Sequence, residues 1–220
     1  MDVEVKATNV VWHLSQVTRK ERETLLNQCG GTLWMTGLPS SGKSTTAYSL
    51  EYELNSRGFF SYVLDGDNVR HGLNKDLGFS AEDRQENIRR IAEVAKLFAD
   101  AGIITVTSFI SPYRRERDFA RKIHNDAGLK FAEIFIDTPI EICEKRDPKH
   151  LYEKARRGEL KGFTGVDDPY EPPLDPEMIV KTDLNAPEEI VSQIIEFITS
   201  NGYLSSAVRL NGQASKRAVA

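Results

Sequence analysis

Apolar residues along the chain fall into two alternating patterns. Short β-rich runs occur at Thr32–Thr36, Phe60–Leu64, Ile103–Phe109, Phe131–Ile136 and Met178–Lys181. Longer stretches with helical spacing separate them and predict helices over Lys43–Ser56, Glu82–Asp100, Arg114–Asn125, Pro139–Asp147 and Pro187–Asn201. Within Glu82–Asp100, Ile88, Ile91, Ala95 and Phe98 share one face, and Gly102 supplies the stop. Strands alternating with helices over short links imply βαβ units, so the expected fold is α/β, three layers, with a five-stranded parallel sheet covered on both faces. Right-handed crossovers restrict it to a few doubly wound orders.

Two segments break the rhythm. Residues 1–28 are polar, helix-prone only over VTRKERETLLNQ, and read as an N-terminal arm ending at Gly30-Gly31. Asp147–Asp175 is charged, then rich in Gly, Pro and aromatics, which fits a lid over a site better than a buried element. One domain is therefore expected over 29–204, with its lid at about 147–175 and a loose polar tail over 205–220.

Composition narrows the classes. The 220 residues are 40% hydrophobic and 28% charged, enough for a sizeable core. A net charge of −4 argues against a polymeric nucleic-acid partner or a membrane surface, though it says nothing of a local basic pocket. Two cysteines, Cys29 and Cys143, make no disulfide framework, and no apolar run approaches a membrane span. The first residues lack a secretory pattern, so a cytoplasmic setting is expected, or an organelle if a transit peptide has been removed.

The strongest chemical signal is Gly37-Leu38-Pro39-Ser40-Ser41-Gly42-Lys43-Ser44, a full GxxxxGK[ST] match between the first strand and the first long helix. Glycines let successive N–H groups curl around phosphate oxygens, and the helix N-terminus adds a positive dipole end. Lys43 would reach the β- and γ-phosphates, and the Ser44 hydroxyl would ligate Mg²⁺. Asn74-Lys75-Asp76 only imitates a guanine-binding signature, because its Asp is one residue early. Asp137, at the end of a strand, imitates an ATPase carboxylate, but Thr138-Pro139 favours a helix-capping role.

After the second strand, LDGDNVR places Asp65 and Asp67 where doubly wound sheets bind ligands. Transfer of a phosphoryl group to a hydroxyl needs a group to orient or accept its proton and charge near the metal, and Asp65 is the candidate for both. Arg84 and Asn87 share a helix face, Arg70 offers a second guanidinium and Phe79 a flat ring. Taken singly, each arginine reads as a solvated surface charge or a helix salt-bridge partner, with Glu82 and Glu86 near at hand.

Together LDGDNVRHGLNKDLGFSAEDRQENIRR, SFISPYRRERD and CEKRDPKHLYEKARRGELKGFTGVDDPYEPP, with the phosphate loop, resemble the adenylyl-sulfate kinase (APS kinase) family from about Asn9 to Gly202. The resemblance implies a P-loop kinase fold with a lid and ATP-dependent phosphorylation of the 3′-hydroxyl of adenosine 5′-phosphosulfate (APS) in sulfate assimilation. Mg²⁺ would accompany ATP, and the enzyme would be a monofunctional homodimer without a fused sulfurylase. Lys43 and Asp65 would be catalytic, with Ser44 and Asp65 toward the metal, the latter directly or through water. The resemblance puts ATP on Gly37–Ser44, Thr45, Arg146, Asn185 and Ala186. It puts APS on Asp67, Asn68, Arg70, Phe79, Arg84, Asn87, Ile110, Ser111, Lys149, Gly162 and Phe163, with the two phenylalanines enclosing the adenine. In part of the family the serine equivalent to Ser111 is described as a phosphoserine intermediate. In-line transfer needs no such intermediate, so a binding role is expected. Another small-molecule kinase, or a nucleotide sensor without turnover, are the competing readings.

Overall fold

The computed structural model describes residues 7–204; residues 1–6 and the expected tail 205–220 lie outside the described residues. Strands β1 (Gly31–Thr36), β2 (Ser61–Asp65), β3 (Ile104–Ser108), β4 (Lys130–Ile136) and β5 (Met178–Val180) form one sheet. Its order is β2-β3-β1-β4-β5 and every pairing is parallel. β1, the central strand, is fully buried, as expected when helices cover both faces.

The pleat of β1 divides two cores. Leu33 and Met35 point into one, with Leu50 and Leu54 of α2 (Lys43–Ser56) and Ile190, Ile194 and Ile198 of α7 (Pro187–Ser200). Trp34 points the other way, toward Ile88, Ile91 and Ala95 of α3 (Ala81–Asp100) and Ala120 of α4 (Arg114–Asp126). Connections leaving β1 and β4 run to opposite sides of the sheet, so the crevice for a ligand opens at their C-terminal ends.

The arm carries α1 (Arg19–Leu26), started by a Thr18–Glu21 capping box. Arg19 binds Asp100 (2.9 Å) and the carbonyls of Ala127 and Gly128, and Arg22 also reaches Asp100. The helix thus sets two cations against the C-terminal ends of α3 and α4.

Two local expectations change. Asp137 does not cap α5 (Ile140–Arg146), which starts at Pro139 with no side-chain cap; its carboxylate instead lies 3.6 Å from the Lys181 ammonium. The segment expected to form a lid is more than a loop. It contains α6 (Leu151–Arg156), whose first N–H groups bind both oxygens of Asp147 (2.9 and 3.1 Å). Tyr152, Ala155 and Phe163 bury with Cys143 in a third small core, against which Leu38 of the phosphate loop packs.

Gly30 sits where α3 ends against the start of β1: a Cβ there would lie 1.9 Å from the Ala99 carbonyl oxygen. Gly30→Ala should therefore cost at least about 2 kcal/mol, because backbone and not a mobile side chain must yield. Thermal denaturation checks this, and an unchanged midpoint would contradict the packing described.

Candidate functional site

The phosphate loop leaves β1 at Gly37, where any Cβ would stand 2.6 Å from the Ile136 carbonyl oxygen, and enters α2 through Gly42 at φ 101°. Both glycines are therefore obligatory here. The loop's underside is pinned: the Ser41 carbonyl accepts from Thr182 Oγ1 (2.7 Å), Thr138 Oγ1 (3.1 Å) and Arg146 Nη1 (3.4 Å). Tyr152 of the lid donates to the Pro39 carbonyl (3.1 Å).

Lys43 is 7% exposed. Its ammonium donates to the carbonyls of Gly37 (3.0 Å) and Leu38 (2.7 Å) and toward Ser41 Oγ (3.4 Å). Burial lowers its pKa to about 8, with the acidic groups of Cys143, Asp65 and Asp67 pulling the other way. Ser44 donates to Asp65 Oδ2 (2.7 Å) and lies 3.1 Å from the Ser108 hydroxyl. Asp65 Oδ1 accepts from the N–H of Asp67 (3.0 Å) and of Asn68 (3.4 Å), the start of a 3₁₀ turn over Asn68–His71. Hydroxyl and carboxylate, both hard oxygen donors, thus converge at the end of β2.

A cavity of about 1090 Å³ runs from this loop across the C-terminal edge of the sheet. Its end at the phosphate loop is lined by Pro39, Ser40, Gly42–Thr45, Arg146 and Asn185. Arg146 is fixed there by the hydroxyl and carbonyl of Thr182, both at 2.7 Å. The other end brings together Asp67, Asn68, Arg70, Phe79, Arg84, Asn87, Ile110, Ser111, Lys149, Gly162 and Phe163. Gly37, Leu38, Ser41 and Ala186 do not line this cavity; the Ala186 N–H donates to Glu189 Oε2 of α7 (3.1 Å).

The cations at this second end are held by protein groups. Arg84 binds Asp168 of the lid (3.0 Å), the Phe79 carbonyl (3.0 Å) and the Gly162 carbonyl, so its carboxylate is neither Glu82 nor Glu86; Glu86 pairs with Arg89 and Arg90. Arg70 donates to the carbonyls of Leu77 and Gly78 and stacks 4.4 Å from the centre of the Phe79 ring, itself 71% exposed. Lys149 pairs with Asp67. Ser111 is 2% exposed at φ 38°, and its hydroxyl accepts from Trp34 Nε1 (3.2 Å). Asn74 of the imitation guanine motif is a buried structural residue that donates to Asn87 Oδ1 (2.9 Å).

Residues 29–181 match the adenylylsulphate kinase family. The chain belongs to that family. It is 56% identical over 199 residues to the adenylyl-sulfate kinase of Clostridium acetobutylicum, covering 90% of this chain and 98% of that one. The Saccharomyces cerevisiae enzyme is 56% identical over 194 residues, with 88% and 96% covered. Among solved structures, the Mycobacterium tuberculosis APS kinase CysC in complex with AMPPNP and APS aligns with a TM-score of 0.75 and 49% identity, over 78% of this chain and 99% of that chain.

The sequence assigns no individual role to several further residues in and around the cavity of this adenylylsulphate kinase. Thr182 follows the last strand, Ser108 ends β3, and Asp168 ties the lid to Arg84. Glu116 is the most unusual. It lines the cavity from the first turn of α4 at 1% exposure, and neither carboxylate oxygen has a hydrogen-bond partner among the described residues. Burial lifts its pKa to about 7 against the opposing pull of Arg115, Arg117 and Arg84.

A carboxyl whose folded-state pKa is raised keeps its proton after the unfolded chain has released it. Stability should thus fall as pH rises from about 4.5 to about 7. Glu116→Gln removes that loss, so its stability advantage over the parent should grow by about 2 kcal/mol between pH 5 and pH 8. Denaturant titrations at the two pH values measure it; an advantage independent of pH would contradict the neutral, buried carboxyl.

Proposed function

We propose that this adenylylsulphate kinase transfers the γ-phosphoryl group of ATP to the 3′-hydroxyl of APS, giving 3′-phosphoadenosine 5′-phosphosulfate and ADP in sulfate assimilation. The observation that carries the reading is the continuity of the cavity. The phosphate loop and the cation- and phenylalanine-lined acceptor end open into one space, with Ser44 and Asp65 between them.

In the transfer, a bond forms between the 3′ oxygen and the γ-phosphorus while the bond to the β,γ-bridging oxygen breaks. Asp65 orients the hydroxyl and receives its proton, a role supported by its carboxylate being held by Ser44 and two backbone N–H groups. Lys43 sets a charge where the transferring group becomes most anionic. Ser44 Oγ would hold the Mg²⁺ that accompanies ATP, with Asp65 Oδ2 holding it directly or through water, and the ion would supply positive charge to offset the negative charge of the phosphates. Arg146 and Asn185 border the donor base. Phe79 and Phe163 enclose the acceptor adenine, and Arg70, Arg84 and Lys149 meet the phosphosulfate, with Asp67, Asn68, Asn87, Ile110 and Gly162 completing the wall.

Ser111 is assigned to binding. Its hydroxyl faces Trp34 Nε1, a donor that cannot take its proton. Residues 147–175 serve as the lid that excludes water from the γ-phosphate. The active form is read as a homodimer, supported by the exposed apolar residues Val10, Val11, Trp12 and Leu14 on the arm. A cytoplasmic setting accords with free Cys29 and Cys143; among the described residues no helix is long and apolar enough to cross a membrane.

Coupled ADP release with APS, AMP and gluconate as acceptors tests the reading: APS alone should support turnover, and turnover with either of the others but not APS would overturn it. Lys43→Ala should lower kcat by at least about 100-fold. Arg84→Ala should raise the KM for APS more than that for ATP, and equal loss for both would contradict the placement of Arg84. Because burial lowers the Lys43 pKa to about 8 and a bound triphosphate favours its charged form, nucleotide affinity should fall as pH rises above that value. Calorimetry at pH 9 in buffers of different ionisation enthalpy should register proton uptake on binding; none would contradict the lowered pKa of Lys43.

A further inference from the structure

Arg117 takes no part in the reading above, yet it is 2% exposed and each of its three guanidinium nitrogens is hydrogen-bonded. Nε donates to Glu133 Oε1 of β4 (2.6 Å), Nη1 to the Ser111 carbonyl (2.7 Å) and Nη2 to the Glu171 carbonyl (2.6 Å). Glu133 alone would answer its charge. The other two bonds join main-chain segments far apart in sequence: the turn that ends the acceptor wall, and the root of the lid. Around them, the Glu171 N–H binds the Pro112 carbonyl (2.9 Å) and the Arg114 N–H binds Glu171 Oε2 (2.9 Å). Tyr170, under the guanidinium at 5.7 Å, is hydrogen-bonded to Thr36, which donates to the Ile110 carbonyl (2.8 Å).

We propose that Arg117 is a positioning residue for the acceptor, holding the Ser111 turn and the lid root in register. Ser111 keeps a left-handed φ of 38°, unfavourable for a side-chain-bearing residue and sustained only by such surroundings. A planar fork can meet three acceptors at once; a lysine ammonium on a flexible stem cannot hold the same plane. Losing the fork frees Ser111 and Glu171 together while leaving the phosphate loop intact. The inference rests on the acceptor reading of this end of the cavity.

Arg117→Lys is the test. The KM for APS should rise at least about tenfold, with the KM for ATP within about twofold of the parent. Amide hydrogen exchange should accelerate at Glu171 and around Ser111, and stay unchanged over Gly37–Lys43. Glu133→Gln removes the ion pair but keeps both carbonyl bonds, so it should lower thermal stability with the KM for APS within about twofold. If Arg117→Lys does not fold, the double variant Arg117→Met/Glu133→Met, which leaves no buried charge unpaired, carries the same measurements. Unchanged KM for APS, equal shifts for both substrates, or an acceptor defect reproduced by Glu133→Gln would each overturn the inference. An unmodified protein that forms no ADP with APS defeats the parent reading instead, and the exchange measurement still decides the coupling.

Discussion

Burying a lysine ammonium is unfavourable by several kcal/mol unless acceptors surround it, and Lys43 is buried at the mouth of the central strand. That requirement shapes the loop: Gly37 and Leu38 must turn their carbonyls inward, which brings the backbone so close to Ile136 that no side chain fits at position 37. The loop then becomes an anchor for its neighbours. The Ser41 carbonyl collects hydroxyls from the segments after β4 and β5, and Leu38 enters the core of the lid. Sheet ends, phosphate loop and lid are thus one packed unit, with the ammonium at its centre.

The acceptor end is built on a different principle. Its cations are solvent-accessible in part and are held by lid and loop groups: Arg84 by Asp168, Lys149 by Asp67, Arg70 by two carbonyls. These contacts fix where positive charge stands, which lowers the ordering cost of gripping an anionic nucleotide. They also couple the acceptor end to the lid, because Asp168 and Gly162, both partners of Arg84, belong to it.

The P-loop, all five strands and the five main helices were legible in the sequence, since each combined a period with a stop signal or sat beside a motif. What escaped has physical reasons. Helix α6 has six residues, too few to display a period, and owes its start to Asp147 and its face to Tyr152 packing on the P-loop. Glu116 and Arg117 lie in the SFISPYRRERD block, but in its charged half, and only the tertiary packing shows that both are buried. Thr182 is a lone hydroxyl after a short strand. The net charge of −4 was equally silent about the site, because an average over 220 residues conceals six cationic side chains drawn to one cavity.

The chemical claim at the centre is that Lys43, Asp65 and the acceptor wall direct a phosphoryl group to one hydroxyl of a sulfated nucleotide. Phosphorus and proton NMR of the product formed from ATP and APS tests it directly. The account predicts a new phosphomonoester coupled to the ribose 3′ proton, with the 5′ phosphosulfate intact. A phosphoryl group on the 2′ oxygen or on the 5′ chain, or loss of the sulfate, would contradict it.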